Sequence, residues 1–174
     1  MFEWQRDGRD MKVYADSNFA GCKMTRKSTS GGCVMIGKHY IRGWSKTQAV
    51  ISLSSGESEL AGIVRGTCEA LGAKSVSRDL GQEVEGVVFT DSSAALSMTG
   101  RIGAGKIRHL DTSMLWVQQK QMRGEVEFQK VPGSKNVADL WTKNVDQVVR
   151  NRHMQQIGFR YEEGRIRKAV ELNV

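Results

Sequence analysis

The sequence contains few residues that interrupt or cross-link a chain: one proline and three cysteines among 174 residues. A single proline leaves no room for a proline-rich linker, and the widely spaced Cys22, Cys33 and Cys68 form no C-x-x-C pair of a zinc finger. No apolar run approaches the ~20 residues that a membrane-spanning helix needs, and no charged-then-apolar leader opens the chain. We therefore expect an intracellular protein without a membrane segment.

Positive charge exceeds negative charge, because 26 Lys and Arg against 19 Asp and Glu give a net charge of +7. Hydrophobic residues make up 39% of the chain, enough at this length for one core without disulfides or metal ions. A basic domain of this kind is consistent with a polyanionic partner such as nucleic acid, although the same charge also serves solubility alone.

Hydrophobic periodicity predicts a mixed α/β chain. The predicted elements, in order, are strands over 11–15, 32–37 and 39–44, a helix capped by Ser54, a strand over 86–90, a helix over 92–98 capped by Ser92, a helix over 110–123 ended by Gly124, a strand over 126–131, and helical structure over 137–157 in one segment or two. Hairpin strands followed by βαβ crossovers predict a mixed sheet with helices packed on it.

Carboxylates stand where these elements would converge. Asp16 and Asp91 each follow a predicted apolar strand, and the carboxyl ends of neighbouring parallel strands share one edge of a sheet. A crossing helix could add Glu59, and the start of the last helix could add Asp139. Each acid alone also fits a turn, a cap or a solvated helix position. Together they would repel one another unless they held hard cations such as Mg²⁺ or Mn²⁺, and two such ions ~3.5–4 Å apart can clamp a phosphoryl displacement.

Seven short motifs follow one another between about Lys12 and Lys143. They are YADSNFAG over 14–21, RKSTSGG over 26–32, WSKTQ over 44–48, LSSGESE over 53–59, TDSSAA over 90–95, RHLD over 108–111, and VP at 131–132 with VADLWTK over 137–143. In this order they resemble the ribonuclease H domain in the Pol polyprotein of copia-type LTR retrotransposons. Two departures stand out: the family commonly has a second Asp where Asn18 stands, and the loop over 133–136 lacks the mobile His that many cellular ribonucleases H carry before the last helix.

The resemblance implies an α/β, ribonuclease H-like fold with a mixed five-stranded sheet and helices on both faces. We expect this domain over 12–144, with an N-terminal extension over 1–11 and a C-terminal helix and basic tail over 145–174. Carried over residue by residue, it implies a catalytic and metal-binding quartet of Asp16, Glu59, Asp91 and Asp139. This quartet would hold two Mg²⁺ ions, with Mn²⁺ as a substitute. Glu57 competes with Glu59, and we prefer Glu59 because the acid that heads the helix body is the catalytic one in the resembled family, and because Glu59 lies beside the apolar stripe.

The implied function is metal-dependent cleavage of the RNA strand of RNA/DNA hybrids during reverse transcription. The implied partners are the hybrid and a reverse transcriptase domain of a parent polyprotein, and the implied location is a cytoplasmic retroelement particle. Five basic residues flank the acids as candidates for phosphate contact: Arg26, Lys27, Lys46, Lys106 and Arg108. His109 and Asp111 are accessory candidates for which a cap or packing role is an alternative. Two other functions remain open: a catalytically silent nucleic-acid-binding module of a degenerate element, and another nuclease of the superfamily such as an integrase or resolvase.

Overall fold

The computed structural model describes residue 5 and residues 9–105, 109–110 and 112–159. Lys106, Arg108 and Asp111, named above as candidate site residues, lie outside the described residues, as do most of 1–8 and all of 160–174. The elements, in chain order, are β1 (Asp10–Asn18), β2 (Thr29–Ile36), β3 (His39–Thr47), α1 (Ser55–Asp79), β4 (Glu85–Thr90), α2 (Ser93–Thr99), α3 (Trp116–Met122), β5 (Glu127–Lys130), α4 (Asp139–Thr142) and α5 (Gln147–Gln156). Short 3-10 helices cover Thr112–Leu115 and Gly133–Lys135.

The five strands form one mixed sheet in the order β3-β2-β1-β4-β5. β1 and β2 are antiparallel, as are β2 and β3, whereas β4 lies parallel to both β1 and β5. The predicted mixed five-stranded sheet is therefore confirmed. The strands that carry Asp16 and precede Asp91, β1 and β4, are neighbours, which is the condition for the two carboxylates to share one edge of the sheet.

Helices cover both faces of the sheet, as predicted. On one face α1 packs on the central strands through buried aliphatic side chains that include Val13, Leu60, Ile63 and Val88, and Val117 of α3 joins the same core. On the other face, a smaller apolar cluster joins Cys33 and Met35 of β2 to side chains of the last two helices and the segments flanking them: Val137, Leu140, Trp141, Met154 and Ile157. Burying each such aliphatic side chain contributes about 1.5–3 kcal/mol, so this packing fixes the position of the helices that border the site.

The long helix α1 passes very close to the central strand. A Cβ atom added at Gly62 would lie 3.1 Å from the backbone oxygen of Asp16, and one at Gly66 would lie 3.2 Å from the Cβ of Ala15. Larger side chains would push α1 away from β1. The glycines therefore bring Glu59, one turn before Gly62, into reach of Asp16.

The predicted elements are all present, and several of their ends lie a few residues away from the predicted positions. β1 continues to Asn18, so Asp16 lies inside the strand, opposite Gly31 of β2, rather than after it. The helix predicted over 110–123 begins as a 3-10 turn and becomes α-helical at Trp116, although Gly124 ends it with a φ of +66° as expected. The last helical stretch divides into α4 and α5, because Asp146 caps a new helix through the N–H of Val149.

None of the helices among the described residues combines the length and the apolar character that a membrane-spanning segment needs.

Candidate active site

Three carboxylates meet at one edge of the sheet. Asp16 lies near the end of β1, Asp91 directly follows β4, and Glu59 lies in the second turn of α1. One oxygen from each comes within 4.8 Å of the others. The parallel pairing of β1 with β4 brings the two aspartates to the same edge, and the close crossing of α1 over β1 adds the glutamate.

The electrostatics of Glu59 indicate that this cluster suits a cation. Burial, together with the charges of Asp16 and Asp91, raises the pKa of Glu59 to about 8. Its Oε2 atom is buried and has no hydrogen-bond partner among the described residues. A buried, unsatisfied oxygen beside two other carboxylates is costly without a counter-charge. The donor set is all carboxylate oxygen, which is the set that hard divalent ions such as Mg²⁺ and Mn²⁺ prefer.

Asp139, the fourth acid of the predicted quartet, borders this cluster as the first residue of α4. It is not one of the three residues whose oxygens come within 4.8 Å of one another. Its Oδ1 accepts a hydrogen bond from Lys143 Nζ over 2.8 Å. Burial, with the charges of Asp16 and Asp91, nevertheless raises the pKa of Asp139. The structure thus brings three of the four predicted ligands together and places the fourth beside them.

Glu57, the alternative to Glu59 as a metal ligand, forms its hydrogen bonds at the start of α1 instead. Its N–H donates to Ser54 Oγ, and its two carboxylate oxygens accept from Ser54 Oγ and from the N–H of Leu53, which is a capping arrangement at the start of α1. His109 Nε2 lies 2.9 Å from Glu57 Oε1. Burial acts to raise the pKa of Glu57, but these hydrogen bonds outweigh it and hold that pKa below its usual value. The accessory candidate His109 therefore contacts the helix start.

Three residues that were not among the predicted site residues contact the aspartates and hold them in place. Thr142 Oγ1 donates to Asp16 Oδ2, and Lys143 Nζ lies 3.2 Å from the same oxygen. The fully buried Asn136 donates from Nδ2 to Asp91 Oδ1 over 3.3 Å and to the backbone oxygen of Ala15 over 3.2 Å. Thr142 and Lys143 lie within the VADLWTK motif, so the motif pointed to the segment but not to these contacts.

Asn18, where the resembled family commonly has Asp, has a bridging role that needs an amide. Its Nδ2 donates to the backbone oxygen of Thr142 over 3.0 Å, and its Oδ1 accepts from the N–H of Thr29 over 2.7 Å. An aspartate could accept the second hydrogen bond but could not donate the first. Asn18 therefore ties the end of β1 to the end of α4, next to Asp16.

Basic residues lie at the same edge of the sheet as the carboxylates. Arg26 and Lys27 lie in the loop that follows β1, and Lys46 lies near the end of β3, paired with Ser30 of β2. Arg26 and Lys46 are exposed and Lys27 is half-buried. These three basic residues lie at the same edge of the sheet as the acids. They can therefore contact the phosphates of a polyanion that binds at the acids.

No family model matches the chain, but sequence relatives do, and two of them illustrate the likeness. The chain is 27% identical, over 137 residues, to the retrovirus-related Pol polyprotein of a transposon of Nicotiana tabacum, which covers 78% of this chain. It is 40% identical over 50 residues, 29% of this chain, to an uncharacterized mitochondrial protein of Arabidopsis thaliana. The chain spans only 10% of the length of the first relative and 21% of the second.

Solved structures share the architecture at low sequence identity. LC11-RNase H1, isolated from compost, superposes with a TM-score of 0.59 at 16% identity over 77% of this chain and 93% of its own, and its complex with an RNA/DNA hybrid gives 0.52 at 14% identity over 76% and 93%. A protease–reverse transcriptase of prototype foamy virus gives 0.51 at 11% identity, over 84% of this chain and 22% of the viral one. These likenesses concern the fold.

Proposed function

We propose that this chain, which has the ribonuclease H fold and is related in sequence to a retrovirus-related Pol polyprotein, is a metal-dependent endonuclease that cleaves the RNA strand of RNA/DNA hybrids. The observation that carries this proposal is the meeting of Asp16, Glu59 and Asp91, with an unpartnered glutamate oxygen, at a sheet edge bordered by basic residues. The structural neighbour LC11-RNase H1, solved in complex with an RNA/DNA hybrid, supports the substrate class.

The four acids and the residues that hydrogen-bond to them would have separate roles in binding metal. Asp16, Glu59 and Asp91 would hold a divalent cation, and Asp139 would contribute to a second one. When bound, such ions supply polarisation of the scissile phosphate and a nucleophilic water at neutral pH. Thr142 and Asn136 fix the orientation of Asp16 and Asp91 through their hydrogen bonds, which is the support that metal ligands need for fixed geometry.

Substrate binding would come from charge and shape rather than from base sequence. Arg26, Lys27 and Lys46 would contact phosphates near the cleaved bond. The scissile strand would be RNA, because the 2′-OH distinguishes it from DNA at the site. The biological setting would be reverse transcription, with a reverse transcriptase domain of the same polyprotein as partner, inside a cytoplasmic retroelement particle.

Cleavage assays on three end-labelled duplexes of one sequence test this proposal: RNA/DNA, RNA/RNA and DNA/DNA. We expect cleavage of the RNA strand of the hybrid with Mg²⁺ or Mn²⁺, none with EDTA, and none with Ca²⁺, whose larger and looser shell misplaces the attacking water. Asp16→Asn and Asp91→Asn serve as matched inactive variants. Hybrid binding without cleavage would favour the silent module instead, and equal cleavage of duplex DNA would favour another nuclease of the superfamily.

A further inference from the structure

The ammonium group of Lys143 lies between two of the four acids of the site. Its Nζ atom is 2.8 Å from Asp139 Oδ1, and it is 3.3 Å and 3.2 Å from the two carboxylate oxygens of Asp16. Asp16 is 1% exposed, whereas the lysine side chain is 42% exposed. One cation of the chain itself thus bridges a buried carboxylate of β1 and a carboxylate of α4.

This ammonium is the nearest counter-charge that the structure gives to these acids. Asp16 and Asp139 each pair with Lys143, and the described residues show no other ion pair of Asp16, Glu59, Asp91 or Asp139. Partial burial acts to lower the pKa of Lys143, but the hydrogen bond to Asp139 and the charges of Asp16 and Asp139 outweigh it and raise that pKa. Lys143 thus supplies the positive charge that faces Asp16 and Asp139.

The position of Lys143 in the chain lets its ammonium group move away from the acids without unfolding α4. It directly follows α4 in extended backbone, with φ −130° and ψ 153°. Its four-carbon stem can rotate the ammonium into solvent while α4 stays packed through Leu140 and Trp141.

We propose that Lys143 is an internal counter-ion that bridges Asp16 and Asp139 in the metal-free protein and that a divalent cation must displace to bind these two acids. The inference deepens the proposed function, because it assigns a competitor to the same carboxylates. A divalent ion that approaches Asp16 meets a positive charge already in hydrogen-bond contact with both of its oxygens. Two ligands that exclude each other weaken each other's binding by the same factor, so the lysine lowers the affinity of the site for metal.

Calorimetric titration of the full chain with Mn²⁺, without nucleic acid, tests the inference. We expect Lys143→Met to bind Mn²⁺ about tenfold more tightly than the wild type, and Lys143→Arg, which keeps the charge, to remain near the wild type. In EDTA the melting temperature of Lys143→Met should fall, because Asp16 and Asp139 lose their counter-ion. It should rise more on addition of Mn²⁺ than that of the wild type.

Lys120→Met is the matched control for the loss of one positive charge. Lys120 pairs with Glu125 before the start of β5, at the end of the sheet opposite to the carboxylates, so its loss should leave Mn²⁺ affinity unchanged. Lys143→Gln keeps the experiment decisive if the methionine variant does not fold. A dissociation constant within twofold of the wild type for the neutral variants, a weaker one, or no measurable Mn²⁺ binding by any variant would overturn the inference. Hybrid cleavage is scored separately, so a protein that binds Mn²⁺ as described but cleaves nothing would refute the proposed function alone.

Discussion

Glu57 and Glu59 lie two residues apart on α1, yet the carboxylate of Glu57 caps the helix and that of Glu59 lies beside Asp16 and Asp91. Successive residues of an α-helix turn by about 100°, so side chains two positions apart point in nearly opposite directions. Glu57 turns back to cap the helix and contacts His109, whereas Glu59 faces Asp16 and Asp91. The motif LSSGESE therefore supplies one acid for the helix start and one for the site.

The two glutamates are expected to respond differently to the same substitution. Glu59→Gln should lower hybrid cleavage by more than about 100-fold, because it removes a charged metal ligand. Glu57→Gln should retain most of the activity and lose about 0.5–1 kcal/mol of stability, because an amide preserves only part of the cap. Single-turnover cleavage and urea denaturation measure both effects. The opposite ranking of the two variants in cleavage would show that Glu57 is the ligand.

The stability of the metal-free protein is expected to fall as pH rises from about 5 to 8. The pKa of Glu59 is about 8 in the folded protein and near 4.5 when the chain is unfolded, so in this range the folded state binds more protons than the unfolded state. Unfolding then becomes easier with each increase in pH, and the effect levels off above pH 8. Glu59→Gln should remove the part of this slope that Glu59 contributes and be more stable than the wild type at pH 8, by about 1–3 kcal/mol.

Thermal or urea unfolding in EDTA at pH 5, 6.5 and 8 checks this prediction. The wild type and Glu59→Gln share every other titrating group, so only the difference between them needs to be followed. A difference that stays constant over the three pH values would contradict the raised pKa of Glu59.

Asn136 is expected to support both the fold and cleavage. Asn136→Ala leaves the buried oxygen of Ala15 without its donor and Asp91 without its partner, so we expect a loss of about 1–3 kcal/mol in stability. Cleavage should fall by about 10–100-fold, the usual effect of removing a group that orients a metal ligand. Asn136→Asp, of equal size but without the donor and with a charge facing Asp91, should be worse in both respects. Wild-type cleavage by both variants at saturating Mg²⁺ would show that Asp91 needs no such support.

Hybrid binding is expected to depend on Arg26 and Lys27 through charge alone. Neutralising both to Gln should weaken binding to every hybrid sequence and reduce the slope of log affinity against log salt by about 1–2, one counter-ion per lost phosphate contact. Metal affinity should be nearly unchanged, because neither residue is a ligand. Fluorescence anisotropy at several salt concentrations measures the slope. The double variant Arg78→Gln with Arg123→Gln removes two charges at the far ends of α1 and α3 and should leave it intact.

Local features of the chain could be predicted because their causes lie within a few neighbouring residues. Ser54 and Ser92 cap their helices as expected, since a cap needs only a side-chain oxygen and an N–H three residues later. Gly124 ends α3 because that position requires a positive φ. The alternation of apolar and polar residues likewise gave each strand within a few positions.

The candidate site depended on a wider pattern. The acids of the site could be predicted from their order on successive strands and helices and from the motifs around them. They are Asp16, Glu59, Asp91 and Asp139. This pattern could not establish that Asp139 stands beside the other three rather than among them, because that depends on how far α4 approaches the sheet.

The sequence by itself determined the kinds of element, their order and the acids that could meet. Only the tertiary structure decided that Asn18 must be an amide, that Asn136 holds Asp91, and that Lys143 contacts Asp16. The last contact joins residues 127 positions apart, and that of Asn18 with Thr142 spans 124. Neither hydrophobic periodicity nor a helix-cap rule relates residues so far apart in the sequence. Such contacts arise because the packing of α4 against β2 brings the residues at the end of α4 to the edge of the sheet where β1 ends.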